Sequence, residues 1–206
     1  MSRAIFLGSF NPPHIGHLNC IQSILDNDII NEIDKIHIIP CNQNPNKIGS
    51  VDFDIRFKMC QNLFRGFSNK VIVDDIERDH KWIFTYDMLE YFMRNEDKYI
   101  KSDFLWIITR ETYGELNNNK WHNSEEIISK YITKMIIVGS KPEMDIHPDN
   151  IWCKQYVQLR PGINVHSTDI RNLIKEGKNP NIYLNNDVIN TIKENKLYTY
   201  NLETIL

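Results

Sequence analysis

The segment Gly8-Ser9-Phe10-Asn11-Pro12-Pro13-His14-Ile15-Gly16-His17 joins the first strand-like run of this chain to its first helical pattern. The run before it, Ala4-Ile5-Phe6-Leu7, does not alternate with polar residues, which is typical of a strand buried on both faces. Beyond it, apolar residues recur on one helical face: Leu18, Ile21, Ile24 and Leu25. The segment is therefore predicted to be a strand-to-helix turn.

Four further apolar runs bounded by breakers predict strands: Ile36–Ile39, Val71–Val73, Phe104–Ile108 and Met135–Val138. Segments with helical spacing lie between them, as in the face made by Phe53, Phe57, Cys60, Leu63 and Phe64. A regular alternation of strands and helices predicts an α/β fold, a doubly wound parallel sheet with right-handed crossovers and helices on both faces.

The last 50 or so residues have a different pattern. Tyr156–Leu159 and Ile163–Val165 predict short strands, 169–178 a helix capped by Ser167 or Thr168, and 185–195 a last helix. No linker rich in Gly, Ser or Pro divides the chain. We therefore predict one domain over residues 1–206, with a small C-terminal helical part at about 167–206.

Composition excludes several classes of protein. The net charge is -3, from 24 Lys and Arg against 27 Asp and Glu, which argues against a general binder of polyanions such as nucleic acids. No apolar run approaches the length of roughly 18 residues that a membrane span needs. The four cysteines form no CxxC pair, so neither a zinc knuckle nor a dense disulfide framework is predicted. We expect a cytoplasmic protein and leave a nuclear one open.

The first turn has the chemistry of an anion site. Ligands of parallel sheets bind beyond the carboxyl ends of the strands, where a helix N-terminus offers N–H groups and the positive end of a dipole. Gly8 allows close approach of the backbone, Ser9 supplies a hydroxyl, and His14 and His17 can donate to phosphate oxygens. Because Gly16 has no side chain, a base or a sugar can lie flat against the backbone there.

Two other interpretations of this turn are weaker. His14, His17 and Cys20 are spaced as zinc ligands, but only three ligands are evident. The GxGxxG fingerprint is absent, so an NAD-dependent oxidoreductase loses its main support.

A second anion site is predicted in Asn164-Val165-His166-Ser167-Thr168-Asp169-Ile170-Arg171. Ser167 and Thr168 are placed at a helix start, and Arg171 follows one turn later. A guanidinium there can hold two phosphate oxygens at once. The alternative is a simple helix cap with a solvated arginine, which the presence of two such helix starts in one chain disfavours.

Both segments resemble motifs of one family. GSFNPPHIGH is similar to the (H/T)xGH signature of nucleotidyltransferases, and looks most like the nicotinate and nicotinamide mononucleotide adenylyltransferases. NVHSTDIR resembles their ISSTxIR motif, with His166 in place of its first serine. Class I aminoacyl-tRNA synthetases share the string HIGH, but their KMSKS-like loop and tRNA-binding domains are missing here. The resemblance covers most of the chain and implies a Rossmann-like fold.

The implied reaction is adenylyl transfer from ATP to nicotinate mononucleotide, with nicotinamide mononucleotide as a further acceptor to be tested. The resemblance implies three catalytic residues, namely His14, His17 and Arg171. The ATP-binding residues that it implies are Gly8, Ser9, Phe10, Gly16, Glu111, Ser167, Thr168, Ile170 and Arg171. Those for the pyridine mononucleotide are Asn11, Lys47, Phe84, Thr85 and Trp121. A solvated loop lysine and an ordinary half-buried tryptophan are the alternatives for Lys47 and Trp121.

Magnesium is expected on the ATP phosphates, mostly coordinated by water, and no protein metal ligands are implied. ATP and the mononucleotide are the expected partners, without nucleic acid or membrane, and a homo-oligomer is left open. One departure from the family pattern is Thr109-Arg110-Glu111, where Gly-x-Asp is usual. The rival functions are another member of the superfamily, such as a phosphopantetheine adenylyltransferase, and a catalytically silent nucleotide sensor.

Overall fold

Six parallel strands form the sheet at the centre of the molecule. The computed structural model describes residues 2–42, 50–67, 69–80, 82, 84–94, 104–131, 134–139 and 155–199. The strands are β1 (Ser2–Gly8), β2 (Ile33–Pro40), β3 (Val71–Val73), β4 (Phe104–Thr109), β5 (Lys134–Val138) and β6 (Gln155–Leu159). They pair in parallel in the order β3-β2-β1-β4-β5-β6, which confirms the predicted parallel sheet. The predicted strand at Tyr156–Leu159 is confirmed as β6 and joins the edge of this sheet.

Helices connect these strands. They are α1 (Ile15–Leu25), α2 (Phe53–Phe64), α3 (Glu77–His80), α4 (Thr85–Arg94), α5 (Arg110–Asn117), α6 (Ser124–Glu126), α7 (Ser167–Lys175) and α8 (Asn186–Glu194). One turn of π-helix, Ile127–Tyr131, continues α6. Polar caps start several of them: the side chains of Asp52, Thr109 and Asn185 accept backbone N–H groups at the starts of α2, α5 and α8. In the described part of the chain, no helix is long and apolar enough to cross a membrane.

Two hydrophobic clusters cover the two faces of the sheet. The first joins β1 and β2 to α1, α2 and α8 through Phe6, Ile36, Ile21, Met59 and Val188. The second joins β1 and β4 to α4 and α5 through Ile5, Trp106, Met88, Leu89 and Leu116. Alternate residues of β1 thus point to opposite clusters. Helices on both faces of a parallel sheet confirm the doubly wound α/β architecture.

The segment between β6 and α7 differs from its prediction. Ile163–Val165 is not a strand but irregular chain that passes the carboxyl edge of the sheet and lines a cavity there. Neither Ser167 nor Thr168 caps α7, because the helix already begins at Ser167 and His166 is the cap residue. The His166 N–H is bound by Asp169 Oδ2 at 3.2 Å, while the Ser167 hydroxyl donates to the Pro12 carbonyl instead. These two contacts explain the shift of the helix start.

Candidate active site

The candidate site lies beside β1, where the order in which strands are added to the sheet changes direction. β1 pairs with β2 on one side and with β4 on the other, so its carboxyl end is the switch point at which ligands of such sheets bind. A cavity of about 600 Å³ opens there. Its lining includes residues from the turn after β1, from the start of α4, from the first half of α5 and from the start of α7. Both predicted anion sites therefore face the same cavity.

Tight packing fixes the turn after β1. Phe10 has a left-handed backbone, with φ of 46°, and its buried ring packs edge-on against Phe6 and Phe64. A Cβ on Gly8 would lie 3.2 Å from that ring, closer than ordinary contact. The small residue at position 8 thus lets the phenylalanine fold back under the turn.

The two histidines of the turn stack on each other. Their ring centroids are 3.7 Å apart, and the His14 backbone N–H donates to His17 Nδ1 at 3.2 Å. Because Nδ1 accepts this bond, the proton of a neutral His17 ring is on Nε2. Phe10 packs against the same ring, with centroids 4.9 Å apart. His17 is therefore held with a defined tautomer in the cavity wall.

His14 is buried to 4% exposure, and its Nδ1 has no hydrogen-bond partner among the described residues. Burial, with a smaller effect from the nearby His166 ring, lowers the pKa of His14 to about 3. A Cβ on Gly16 would lie 2.9 Å from this Nδ1, so only glycine at position 16 admits the ring as placed. A neutral, unpartnered imidazole at the cavity wall is suited to receive a polar ligand.

The start of α7 is tied directly to the turn after β1. Ser167 Oγ donates to the Pro12 carbonyl at 2.9 Å, and Arg171 Nη1 donates to the Asn11 carbonyl at 2.9 Å. Arg171 Nη2 also donates to Thr168 Oγ1 at 3.0 Å. A guanidinium has five N–H donors, so these two bonds leave donors for an anion. The two helix N-termini are thus joined into one site.

Aromatic side chains form another part of the wall. The Phe84 ring stacks on His122 with centroids 4.3 Å apart, and Thr85 starts α4 beside it. Trp121 is half-buried, and its indole N–H donates to Glu115 Oε2 at 3.2 Å. All of these residues line the cavity, which gives a flat aromatic ligand faces on which to stack.

The departure at Thr109 has a local explanation. β4 ends at this residue, and its hydroxyl caps α5 by accepting the Thr112 N–H at 3.2 Å. Glu111 follows in the first turn of α5, where it is exposed and lines the cavity. A threonine at position 109 therefore starts the helix that presents Glu111 to the cavity.

Among the predicted site residues that the structure describes, all except Ile170 line this one cavity. The side chain of Ile170 is fully buried in the first hydrophobic cluster, so a contact with ATP is left to its backbone. Lys47 lies outside the described residues, in the 43–49 gap. The described residues contain no group of three or more His, Cys, Asp or Glu side chains that could hold a metal ion.

Sequence reasoning missed three features of the site. Glu77 lines the cavity although it is only 3% exposed, and its carboxylate accepts the Asn42 N–H at 2.7 Å. Burial raises the pKa of Glu77 to about 7. Arg56 is 1% exposed and donates to three backbone carbonyls, those of Ser9, Asn42 and Val51. His122 follows Trp121 directly in the sequence, and that adjacency could have pointed to it.

Known proteins resemble this chain over most of its length. Residues 5–173 match the cytidylyltransferase-like family. A probable nicotinate-nucleotide adenylyltransferase of Fusobacterium nucleatum is 32% identical over 180 residues, which cover 85% of this chain and 88% of the relative. A protein of the same description from Clostridium acetobutylicum is 27% identical and covers 95% of this chain and 98% of the relative.

A solved structure shares the fold. The nicotinic acid mononucleotide adenylyltransferase of Plasmodium falciparum, complexed with NaAD, superposes with a TM-score of 0.76 at 20% identity, over 96% of this chain and 97% of that one. The same enzyme complexed with APC gives a TM-score of 0.75. The family match over residues 5–173 and the 32% identity together place this chain in the cytidylyltransferase-like family, among the nicotinate-nucleotide adenylyltransferases.

Proposed function

We propose that this chain transfers the adenylyl group of ATP to nicotinate mononucleotide, producing the dinucleotide and pyrophosphate in NAD biosynthesis. The observation that carries the proposal is the single cavity that joins a stacked histidine pair, the start of α7 and an aromatic wall. Relatives bearing that activity in their descriptions support it.

In the proposed reaction, a 5′-phosphate oxygen of the mononucleotide attacks the α-phosphorus of ATP. A new P–O bond forms, and the bond from that phosphorus to the bridging oxygen of the β-phosphate breaks. The electron pair leaves with pyrophosphate. Because a phosphate monoester is largely ionised near neutral pH, the attack needs no general base. The site must supply position and neutralisation of charge.

The ATP phosphates are assigned to the two helix starts. His14 and His17 donate to the α-phosphate and the bridging oxygen, and the neutral His17 ring does so from Nε2 because Nδ1 is occupied. Thr168 and Arg171 hold the β- and γ-phosphates, and Ser167 contributes its backbone N–H because its hydroxyl donates to the Pro12 carbonyl. Gly8, Ser9, Phe10, Gly16 and Glu111 line the ATP side of the cavity, and Ile170 contributes only its backbone.

The mononucleotide is assigned to the other side of the site. Trp121, Phe84 and Thr85 surround the pyridine ring, since an aromatic face suits a cationic ring. Asn11 and Lys47 serve its phosphate.

Magnesium enters as part of the substrate, bound to the phosphates of ATP and mostly to water, as this hard cation usually is in such sites.

We also propose that residues 1–206 form one domain. The C-terminal helix α8 shares the first hydrophobic cluster with β1, which supports a single domain. We assign the protein to the cytoplasm because Cys20 and Cys60 are buried free thiols, as a reducing compartment favours.

Pyrophosphate release tests the proposal directly. The chain is incubated with MgATP and, in parallel, with nicotinate mononucleotide, nicotinamide mononucleotide or phosphopantetheine. We expect turnover with the pyridine mononucleotides and none with phosphopantetheine. The ratio of kcat/KM for the first two acceptors measures the preference for acid over amide.

Two results contradict the proposal. Release with phosphopantetheine alone would retain the adenylyl chemistry and replace the acceptor. Silence with all three acceptors, combined with measurable ATP binding, would identify a nucleotide sensor.

A further inference from the structure

Side chains from distant parts of the chain bind four oxygen atoms of the loop from Ser9 to Pro12. Arg56 donates to the Ser9 carbonyl at 2.8 Å, and α7 supplies the donors for the Asn11 and Pro12 carbonyls. The fourth oxygen, Asn11 Oδ1, accepts from Tyr198 Oη at 2.7 Å. Oxygen atoms that faced a phosphate would repel it. Because these four oxygens are engaged, the loop can offer N–H groups to an anion.

Tyr198 reaches this loop from the segment that follows α8. Lys196 and Tyr198 both have left-handed backbones, with φ of 50° and 61°. Such conformations cost a non-glycine residue about 1–2 kcal/mol each, and they persist where other contacts determine them. Leu197 and Tyr198 pack against the first hydrophobic cluster, so the turn is anchored to the core. This strained turn places the Tyr198 hydroxyl against the side-chain amide of Asn11.

Asn11 is the residue through which Tyr198 can act. It is 8% exposed and lines the cavity, whereas Tyr198 is not among the described residues that line it. With Oδ1 held by the tyrosine and the Asn11 carbonyl held by Arg171, both acceptors of Asn11 are engaged. The NH₂ group of the amide then points away from the Tyr198 hydroxyl.

The proton needed for this contact stays in place. Burial raises the pKa of the Tyr198 hydroxyl above its ordinary value, although the nearby Arg171 and Arg56 cations oppose that effect. The hydroxyl is therefore a donor throughout the physiological pH range.

We propose that Tyr198 is a positioning residue, which fixes the Asn11 amide so that its NH₂ group donates to the phosphate of the mononucleotide. The inference rests on the proposed function, in which Asn11 belongs to the mononucleotide side of the site. The segment after α8 would then complete the acceptor site without touching the substrate.

Tyr198→Phe removes only the hydroxyl and leaves the packing of the ring in place. We expect the KM for nicotinate mononucleotide to rise about five- to tenfold, the effect of one lost hydrogen bond, with the KM for ATP changed less than about twofold. In an Asn11→Ala background, the same substitution should have no further effect on that KM, because the group that it positions is gone.

Tyr183→Phe is the matched control. Tyr183 packs against the same hydrophobic cluster and is not among the cavity-lining residues, so its variant should keep both KM values. Thermal unfolding of each variant shows whether a loss of folded protein accounts for any change.

The inference is overturned if Tyr198→Phe leaves both KM values unchanged, raises them equally, or adds its effect in full to that of Asn11→Ala. Calorimetric titration of the wild-type chain with nicotinate mononucleotide distinguishes a failure of the Tyr198 role from a failure of the proposed function. If the wild-type chain turns over the mononucleotide and Tyr198→Phe has the same KM values, only the role of Tyr198 is contradicted. A wild-type chain that neither binds nor turns it over contradicts the proposed function, and the inference with it.

Discussion

His14 and His17 both belong to the first turn, but their rings have different hydrogen-bond partners. His17 is oriented by a backbone N–H on Nδ1, whereas the Nδ1 of His14 is buried without a partner among the described residues. Burial lowers the pKa of His14 to about 3, and a bound phosphate would reverse part of that shift by favouring the cation. His14 is therefore poised for a ligand, and His17 is already fixed for one.

His17→Ala should reduce kcat about 100- to 1000-fold, because it removes a donor that acts on charge developing in the transition state. ATP binding should weaken much less, since other groups hold the β- and γ-phosphates. Steady-state kinetics and calorimetric titration with ATP measure the two effects separately. Gln22→Ala, on the same helix and outside the cavity lining, is the control. Near wild-type turnover in His17→Ala would refute the assigned role.

Trp121→Ala should raise the KM for nicotinate mononucleotide about tenfold and leave the KM for ATP nearly unchanged, because the lost surface is a stacking face for the ring. Trp121→Phe retains an aromatic face and should recover most of the loss. Initial rates with each substrate varied in turn provide the measurement. Equal increases in both KM values would remove Trp121 from the pyridine site.

Glu77 predicts a pH dependence of stability. Its pKa is raised from 4.5 to about 7 by burial, with the Asn42 N–H and Arg56 opposing that effect. Between these two pH values the folded chain keeps a proton that the unfolded chain loses, so this group lowers the free energy of unfolding as pH rises. The total loss is about 3 kcal/mol and is complete above pH 7.

Glu77→Gln removes the titration and keeps a side chain of the same shape. Relative to wild type, this variant should therefore gain stability between pH 4.5 and 7 and gain no more above it. Urea unfolding of both proteins at pH 4.5, 6, 7 and 8 measures the difference. A stability difference that is constant with pH would show that Glu77 titrates alike in the folded and unfolded chains.

At the scale of elements, α2 organises the carboxyl edge of the sheet from within the core. Arg56 donates to the Ser9 carbonyl after β1, the Asn42 carbonyl after β2, and the Val51 carbonyl before α2 itself. The Asn42 N–H is bound by the Glu77 carboxylate, so one peptide segment links the two buried charges. The connections after β1 and β2 are thereby fixed to each other.

Arg56→Met should lower the free energy of unfolding by about 2–5 kcal/mol, because several buried carbonyls lose their donor. Arg56→Lys should lose less, since a single ammonium keeps the charge and satisfies part of the set. Lys58→Met is the matched control, an exposed residue on the same helix, and should change stability little. Urea unfolding measures all three. Equal stabilities of Arg56→Met and Lys58→Met would show that these bonds contribute nothing.

At the scale of the whole molecule, the predictable features are the local ones. β1 and β4 each contain a continuous apolar run, and the turn after β1 concentrates glycine, proline and histidine in ten residues. Runs and turns of this kind follow from short-range patterns, so the sheet and the two helix starts that face the cavity could be predicted.

The remaining contacts join residues that no local pattern connects. Tyr198 and Asn11 are 187 residues apart, and Arg56 and Ser9 are 47 apart. The prediction of a strand at Ile163–Val165 was wrong because its apolar residues line the cavity instead of pairing with the edge of the sheet. The cap of α7 was misplaced because the Ser167 hydroxyl is bound to Pro12, 155 residues away. Tertiary partners thus determined what local propensity could not.

The fate of the α-phosphorus tests the central claim most directly. ATP labelled at that atom is incubated with Mg²⁺, nicotinate mononucleotide and the wild-type chain, and the products are separated by chromatography. The account predicts that the label appears in nicotinate adenine dinucleotide, with one unlabelled pyrophosphate released for each dinucleotide formed. Label that remains in ATP, or that appears in AMP without a dinucleotide, would contradict the claim that this cavity transfers an adenylyl group to a pyridine mononucleotide.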